Sequence, residues 1–323
     1  MIKNFFKNHP IHKKIVPYLD FFFILNPLTF FSYWVIICLG MYIPLFSVDH
    51  SPLFITELDY RFFCLFIGLS IILSVYNIKK QLVFTSEFNR SVIDSYTEKN
   101  MNMIIHILHI IGILLLAFVG FANLLLGFLL LVINLILLNS NYYNMKNSIL
   151  CFIVEITFAL ILFICGYIYA LKIINFEFFS VKVLLLLIPY IILYLSIYII
   201  SEILNSLLKS NSVFLLNNIN SQKIVSILVF LLSGGLILGI RLNDPLSSIC
   251  ICISLPFFFY ALFRNLIKDF QRAFVYPLFI VNFFIITIFP YLAIPSLVLF
   301  WIGKYYNWHK FDYNFPTFLV DSD

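Results

Sequence analysis

Long apolar blocks follow one another along this chain, and short polar breaks separate them. The blocks lie at 27–46, 61–77, 102–119, 122–139, 149–171, 181–201, 223–240, 246–263 and 273–303, and none shows a polar face. A bilayer's hydrocarbon layer, about 30 Å thick, takes about 20 apolar residues at about 1.5 Å of helix rise each. The pattern therefore predicts membrane-crossing helices. The strict polar/apolar alternation of an outer-membrane barrel is not the pattern here. The expectation is an all-α polytopic membrane protein of about nine transmembrane helices. It forms one transmembrane domain, with a basic arm at 1–20, a bundle over 21–303 and a tail at 304–323.

The last block carries Pro277, Pro290 and Pro295 and is too long for one straight span. It is either one broken, tilted helix or a hairpin of two short ones. The expected layout of nine spans puts the tail on the side opposite the N-terminus.

Composition removes the soluble alternatives: 63% of the 323 residues are hydrophobic, 11% are charged, and mean hydropathy is +1.04. No Gly-rich nucleotide motif is present, and nucleic acid is not an expected partner. The six cysteines all sit in apolar blocks without metal-type spacing, and read as small buried hydrophobes. Lys3, Lys7, Lys13 and Lys14 resemble the start of a signal peptide, but the apolar stretch after them is too long for one. The net charge of +5 reports topology. The N-terminal arm and every second loop hold 14 Lys and Arg, against 4 in the alternate loops. This bias places the N-terminus and the richer loops in the cytoplasm, in an inner membrane.

Polar residues inside apolar spans are costly, so their positions locate candidate chemistry. Asn77 ends the second span, His106 and His109 share a helical face in the third, and Asn134 lies near the end of the fourth. Glu155 stands two turns into the fifth, and Glu202 and Asn205 close the sixth. All fall in the cytoplasmic half, whereas the other half offers mainly Arg241, Asn243 and Asp244. The expectation is a cavity open to the cytoplasm, lined by His106, His109, Asn134 and Glu155. Lys79, Lys80 and Lys209 lie beside it, and Arg264, Lys268 and Arg272 line a further loop at fourfold spacing. Ammonium and guanidinium groups suit phosphate, although orientation alone also demands positive loops.

The layout resembles the UbiA superfamily of intramembrane prenyltransferases. Ser74-Val75-Tyr76-Asn77 looks like the lead-in to that family's first aspartate-rich motif, and Glu202 stands at the first carboxylate of the second. Asn243-Asp244-Pro245-Leu246, Lys304-Tyr305-Tyr306 and Phe315-Pro316-Thr317-Phe318 resemble the closing part of one prokaryotic branch. Ile78, Gln81, Thr85 and Ser206 occupy positions where the family has aspartates. The resemblance implies a polyprenyl diphosphate head held by Asn77, Lys79, Lys80, Glu202, Asn205 and Lys209. Family-type transfer implies Mg²⁺, and it enters only if that activity is kept; no metal ligand is assigned. Two other classes stay open: a non-catalytic membrane subunit with a protein partner, and a transporter.

Overall fold

A computed structural model describes residues 10–49, 59–84, 98–139, 148–174, 181–207 and 221–311. Every regular element among them is helical. In chain order these are α1 (Pro10–Ile24), α2 (Phe30–Asp49), α3 (Tyr60–Phe84), α4 (Glu98–Val119), α5 (Phe121–Asn139) and α6 (Ser148–Ile174). There follow α7 (Val181–Leu207), α8 (Ser221–Arg241), α9 (Pro245–Arg264), α10 (Ile267–Ile288) and α11 (Ala293–Phe311). Single 3₁₀ turns at Pro27–Thr29 and Pro290–Leu292 precede α2 and α11. Among the described residues five stretches are long and apolar enough to cross a bilayer: Asn102–Val119, Leu185–Leu204, Ser221–Arg241, Pro245–Arg264 and Ile267–Ile288. Four shorter apolar stretches lie in α2, α3, α5 and α6.

Local chemistry explains the boundaries. Gly120, at φ 150°, separates α4 from α5 with one residue, in a conformation that disfavours a side chain. Asn243 and Asn265 take left-handed conformations at the ends of α8 and α9, where asparagine is tolerated best after glycine. Asp244 then caps α9: its side chain accepts from the Leu246 backbone N–H, with Pro245 at the first helical position.

The helices form two packed groups. In the first, α2 packs most extensively on α6, and α3 on α4, with α5 bridging α3, α4 and α6. In the second, α7 to α10 pack in adjacent pairs, and α10 also closes on α7. The groups meet where α2 touches α10 and α7. Glycines allow the closest crossing. A Cβ at Gly40 would collide with the Phe163 carbonyl, and one at Gly166 with the Ile37 carbonyl. Small residues permit such backbone contact in the absence of a hydrophobic drive between helices.

Side-chain pairs give the directions. Leu25 packs against the cluster of Val75, Ile78, Ile105 and Leu108, Trp34 donates to Ser70 and lies against Phe66, and Tyr42 reaches Asp244. Thus α2 runs antiparallel to α3 and toward the α8–α9 turn. Phe62 lies against Tyr169 and Tyr76 against Phe158, so α3 is antiparallel to α6. The bundle has an end carrying α1 and an opposite end carrying the α8–α9 turn.

The apolar block at 273–303 is divided. Helix α10 stops at Ile288, the chain turns through Phe289–Leu292, and α11 returns toward α1. There the Tyr306 hydroxyl donates to Asp20 at 2.6 Å, Phe23 stacks on Tyr306 with centroids 4.0 Å apart, and Lys310 pairs with Asp20. The hairpin alternative holds, and the end of α11 lies beside α1 rather than on the opposite side. The cause is local: Pro290 has no N–H to continue the α10 ladder.

Candidate functional site

The expected site draws on α3 to α7, and all of these helices form. The side chains of Asn77, Lys79, Lys80, Glu155 and Asn205, and the whole of Lys209, lie outside the described residues. His106, His109, Asn134 and Glu202 can be placed.

His109 and Asn134 turn inward. His109 is 4% exposed, and its Nε2 has no hydrogen-bond partner among the described residues. Asn134 is 1% exposed and donates from Nδ2 to the Ile72 carbonyl at 3.0 Å, tying α5 to α3. Gly112, one turn after His109, abuts Ile72 as well. Both side chains therefore belong to the α3–α4–α5 contact. His106 departs from the expected cavity lining. It is exposed, on the outward stripe of Met103, Ile107, Ile110 and Leu114. At about 100° per residue, three positions separate the two rings enough for α3 to cover one and leave the other out.

Glu202 is buried, at 6% exposure, near the α1-end terminus of α7. Burying a carboxylate is costly unless it is paired, which makes the position notable. On the same helix Ser196 and Ser201 turn back onto the Ile192 and Tyr198 carbonyls.

Several polar contacts at this end carry no signature in the apolar pattern. Trp34 Nε1 donates to Ser70 Oγ at 2.9 Å, and Ser74 Oγ donates to the Ile71 carbonyl at 2.6 Å. Asp269 is fully buried and takes Arg272 Nη1 at 3.1 Å and Arg264 Nε at 3.4 Å. The spacing Arg264, Lys268, Arg272 revealed the cations, but not that a buried carboxylate holds two of them.

The opposite end is richer than expected. Tyr42 donates to Asp244 Oδ1 at 3.2 Å, Leu246 N–H reaches the same oxygen at 3.2 Å, and Tyr190 of α7 lies beside the carboxylate. Lys172 Nζ donates to the Val119 carbonyl at 3.1 Å, and Arg61 pairs with Asp59 at 3.3 Å. Asn123 is 3% exposed at the start of α5. The sequence pattern offers mainly Arg241, Asn243 and Asp244 for this end, and the structure adds Tyr42, Tyr190, Asn123, Arg61 and Lys172 to them. Tyrosines are counted with the hydrophobic residues, yet the hydroxyls of Tyr42 and Tyr190 lie beside Asp244 at this end.

A divalent cation of the family type calls for several carboxylate oxygens around each ion. Among the described residues no three His, Cys, Asp or Glu side chains come together in a metal-binding group. Glu202 and its described neighbours do not match such a donor set. No protein-family model, curated protein or solved structure matches the chain.

Proposed function

We propose that this chain is an integral membrane protein that binds a polyprenyl diphosphate or a similar lipid. Its charged head sits at the α1 end, and its tail lies among the apolar helices. The supporting observation is Glu202, a carboxylate buried at 6% exposure within a helix long and apolar enough to cross a membrane. Ionisable groups kept within membrane helices are retained mainly for ligands, ions or protons. Buried His109 and Asn134 add polar capacity at the same end.

In this reading Lys79, Lys80 and Lys209 bind the diphosphate directly and take over charge that metal ions supply in the UbiA family. Asn77, Glu202 and Asn205 orient the head. The fold is a UbiA-like bundle in the inner membrane, with the α1 end cytoplasmic. Its function is lipid binding by a divergent member of that architecture. Prenyl transfer of the family type would need carboxylates at Ile78, Gln81, Thr85 and Ser206, and these side chains cannot hold Mg²⁺ against diphosphate.

Calorimetric titration of the purified protein with a prenyl diphosphate, with and without Mg²⁺, tests the proposal. Metal-independent binding that weakens about tenfold in Lys79→Gln/Lys80→Gln is expected, since charge-assisted contacts to phosphate carry on the order of 1.5–3 kcal/mol. Binding only with Mg²⁺ would show that other carboxylates hold the metal. No binding in either condition would remove the lipid reading.

A further inference from the structure

The corner between α9 and α10 carries a second cationic feature, apart from the lysines just discussed. Positive loops are common at a membrane's cytoplasmic face, and orientation needs only their charge. Here the charges are also fixed in place. Asp269 is fully buried, and it grips Arg272 at 3.1 Å and Arg264 at 3.4 Å, one arginine on each side of the corner. A buried carboxylate is costly unless paired, and this one is paired twice. The outcome is two guanidinium groups held close together. Arg264 keeps 53% of its side chain exposed and Arg272 28%. Each guanidinium has five N–H donors, and these ion pairs engage one donor on each.

The backbone adds a field of the same sign. Helix α10 has 22 residues and starts on Leu266, whose side chain supplies no cap. A helix N-terminus favours an anion, and Asp269 in its first turn offsets only one of the nearby positive charges. Arg264, Lys268 and Arg272 leave the 264–272 segment with three cations against one carboxylate. The corner lies at the α1 end, since α9 leaves the opposite end at Asp244. Asn265, between the two helices, accepts from Ser221 Oγ at 3.1 Å, which fixes the corner to the start of α8.

We propose that Arg264 and Arg272, splayed by Asp269, form a binding site for the phosphate of an anionic membrane phospholipid. The paired forks suit a phosphate with two unshared oxygens, and a membrane surface supplies that group at this depth. The site stands independently of the prenyl diphosphate reading, and each can fail without the other.

Native mass spectrometry and thermal unfolding of the full chain test it in nanodiscs of phosphatidylcholine alone and of phosphatidylcholine with phosphatidylglycerol. Wild type is expected to retain phosphatidylglycerol preferentially and to unfold at a higher temperature in the mixed disc. In Arg264→Gln/Arg272→Gln the retention should fall about tenfold or more, as expected for losing two charge-assisted contacts. Arg264→Lys/Arg272→Lys keeps the charge without the fork and should lose part of the retention. This variant keeps the test open should the glutamine form fold poorly. Equal retention in wild type and the glutamine variant would overturn the proposal. So would equal stabilisation by both disc types. An inorganic phosphate arm separates the sources: free phosphate matching the lipid's effect would overturn the phospholipid assignment.

Discussion

The two ends of the bundle solve the same problem, polar groups inside an apolar protein, in different ways. At the end opposite α1 the contacts between the two helical groups converge on Asp244, beside separate local pairs at Lys172 and Arg61. Asp244 receives a hydrogen bond from Tyr42 of α2 and one from its own helix terminus, and Tyr190 of α7 stands beside it. One carboxylate joins the first helical group to the second. At the α1 end the contacts are dispersed. Trp34 meets Ser70, Asn134 meets the Ile72 carbonyl, Asp20 meets Tyr306 and Lys310, and Asp269 meets two arginines. Each clamp joins its own neighbours and none joins all of them. A hub makes an end rigid through one residue, while separate clamps can hold a rim whose members respond independently. This difference favours the α1 end as the one that accommodates a ligand.

Breaking the hub should have the largest effect. Asp244→Ala removes the α9 cap and leaves the Tyr42 hydroxyl buried without its acceptor. A lost cap costs about 1 kcal/mol and a stranded buried hydroxyl about 1–3 kcal/mol. A loss near 2–4 kcal/mol is expected, read as a lower midpoint in thermal unfolding of the detergent-solubilised protein. Asp244→Asn retains a side-chain acceptor for the cap and should recover much of it. A loss from Asp244→Ala no larger than that from any rim variant would abolish the distinction between the ends.

Next in size is Asn134→Leu, which conserves bulk but removes the donor to Ile72. Hydrogen bonds between membrane helices average about 0.6 kcal/mol and reach about 1.7. A loss near 1 kcal/mol is expected. Glu202→Gln sharpens the comparison from the other side. If Glu202 orients a ligand head, its amide form should fold as well as wild type and bind prenyl diphosphate several-fold more weakly. A stability loss as large as that of Asp244→Ala would make Glu202 a second hub instead.

Much of this organisation was legible in the sequence, and the reasons differ by feature. Each expected apolar block coincides with helical structure, because blocks without polar faces leave the backbone few alternatives in a membrane. The division of 273–303 was legible as a pair of alternatives. Choosing between them needed the contact of Tyr306 with Asp20, residues 286 positions apart. His109 and Asn134 stand out in the sequence as lone polar residues in apolar runs, and both are buried where α3, α4 and α5 meet. The hub escaped because its parts are spread over α2, α7 and the α8–α9 turn, and two of them are tyrosines. Asp244 itself stood in the sequence as part of a short turn. Its burial depends on helices that only the fold brings together. His106 was misplaced because spacing gives the angle between side chains but not which flank α3 covers.

The smallest effect belongs to the clamp between α1 and α11, and it tests whether the rim contacts are independent. Lys310 and Asp20 keep 18% and 25% of their side chains exposed, so water screens their attraction. Lys310→Met keeps the apolar stem and removes the charge. The Tyr306 hydroxyl still donates to Asp20 at 2.6 Å, and Phe23 remains stacked on the Tyr306 ring. A loss of about 0.5 kcal/mol is therefore expected, within the range of partly exposed ion pairs. The same unfolding measurement, repeated in Lys310→Met/Asn134→Leu, should show the two losses adding, because one site joins α11 to α1 and the other α5 to α3. Strong non-additivity would mean that the α1 end behaves as one cooperative unit, and the contrast with the hub would then have no physical basis.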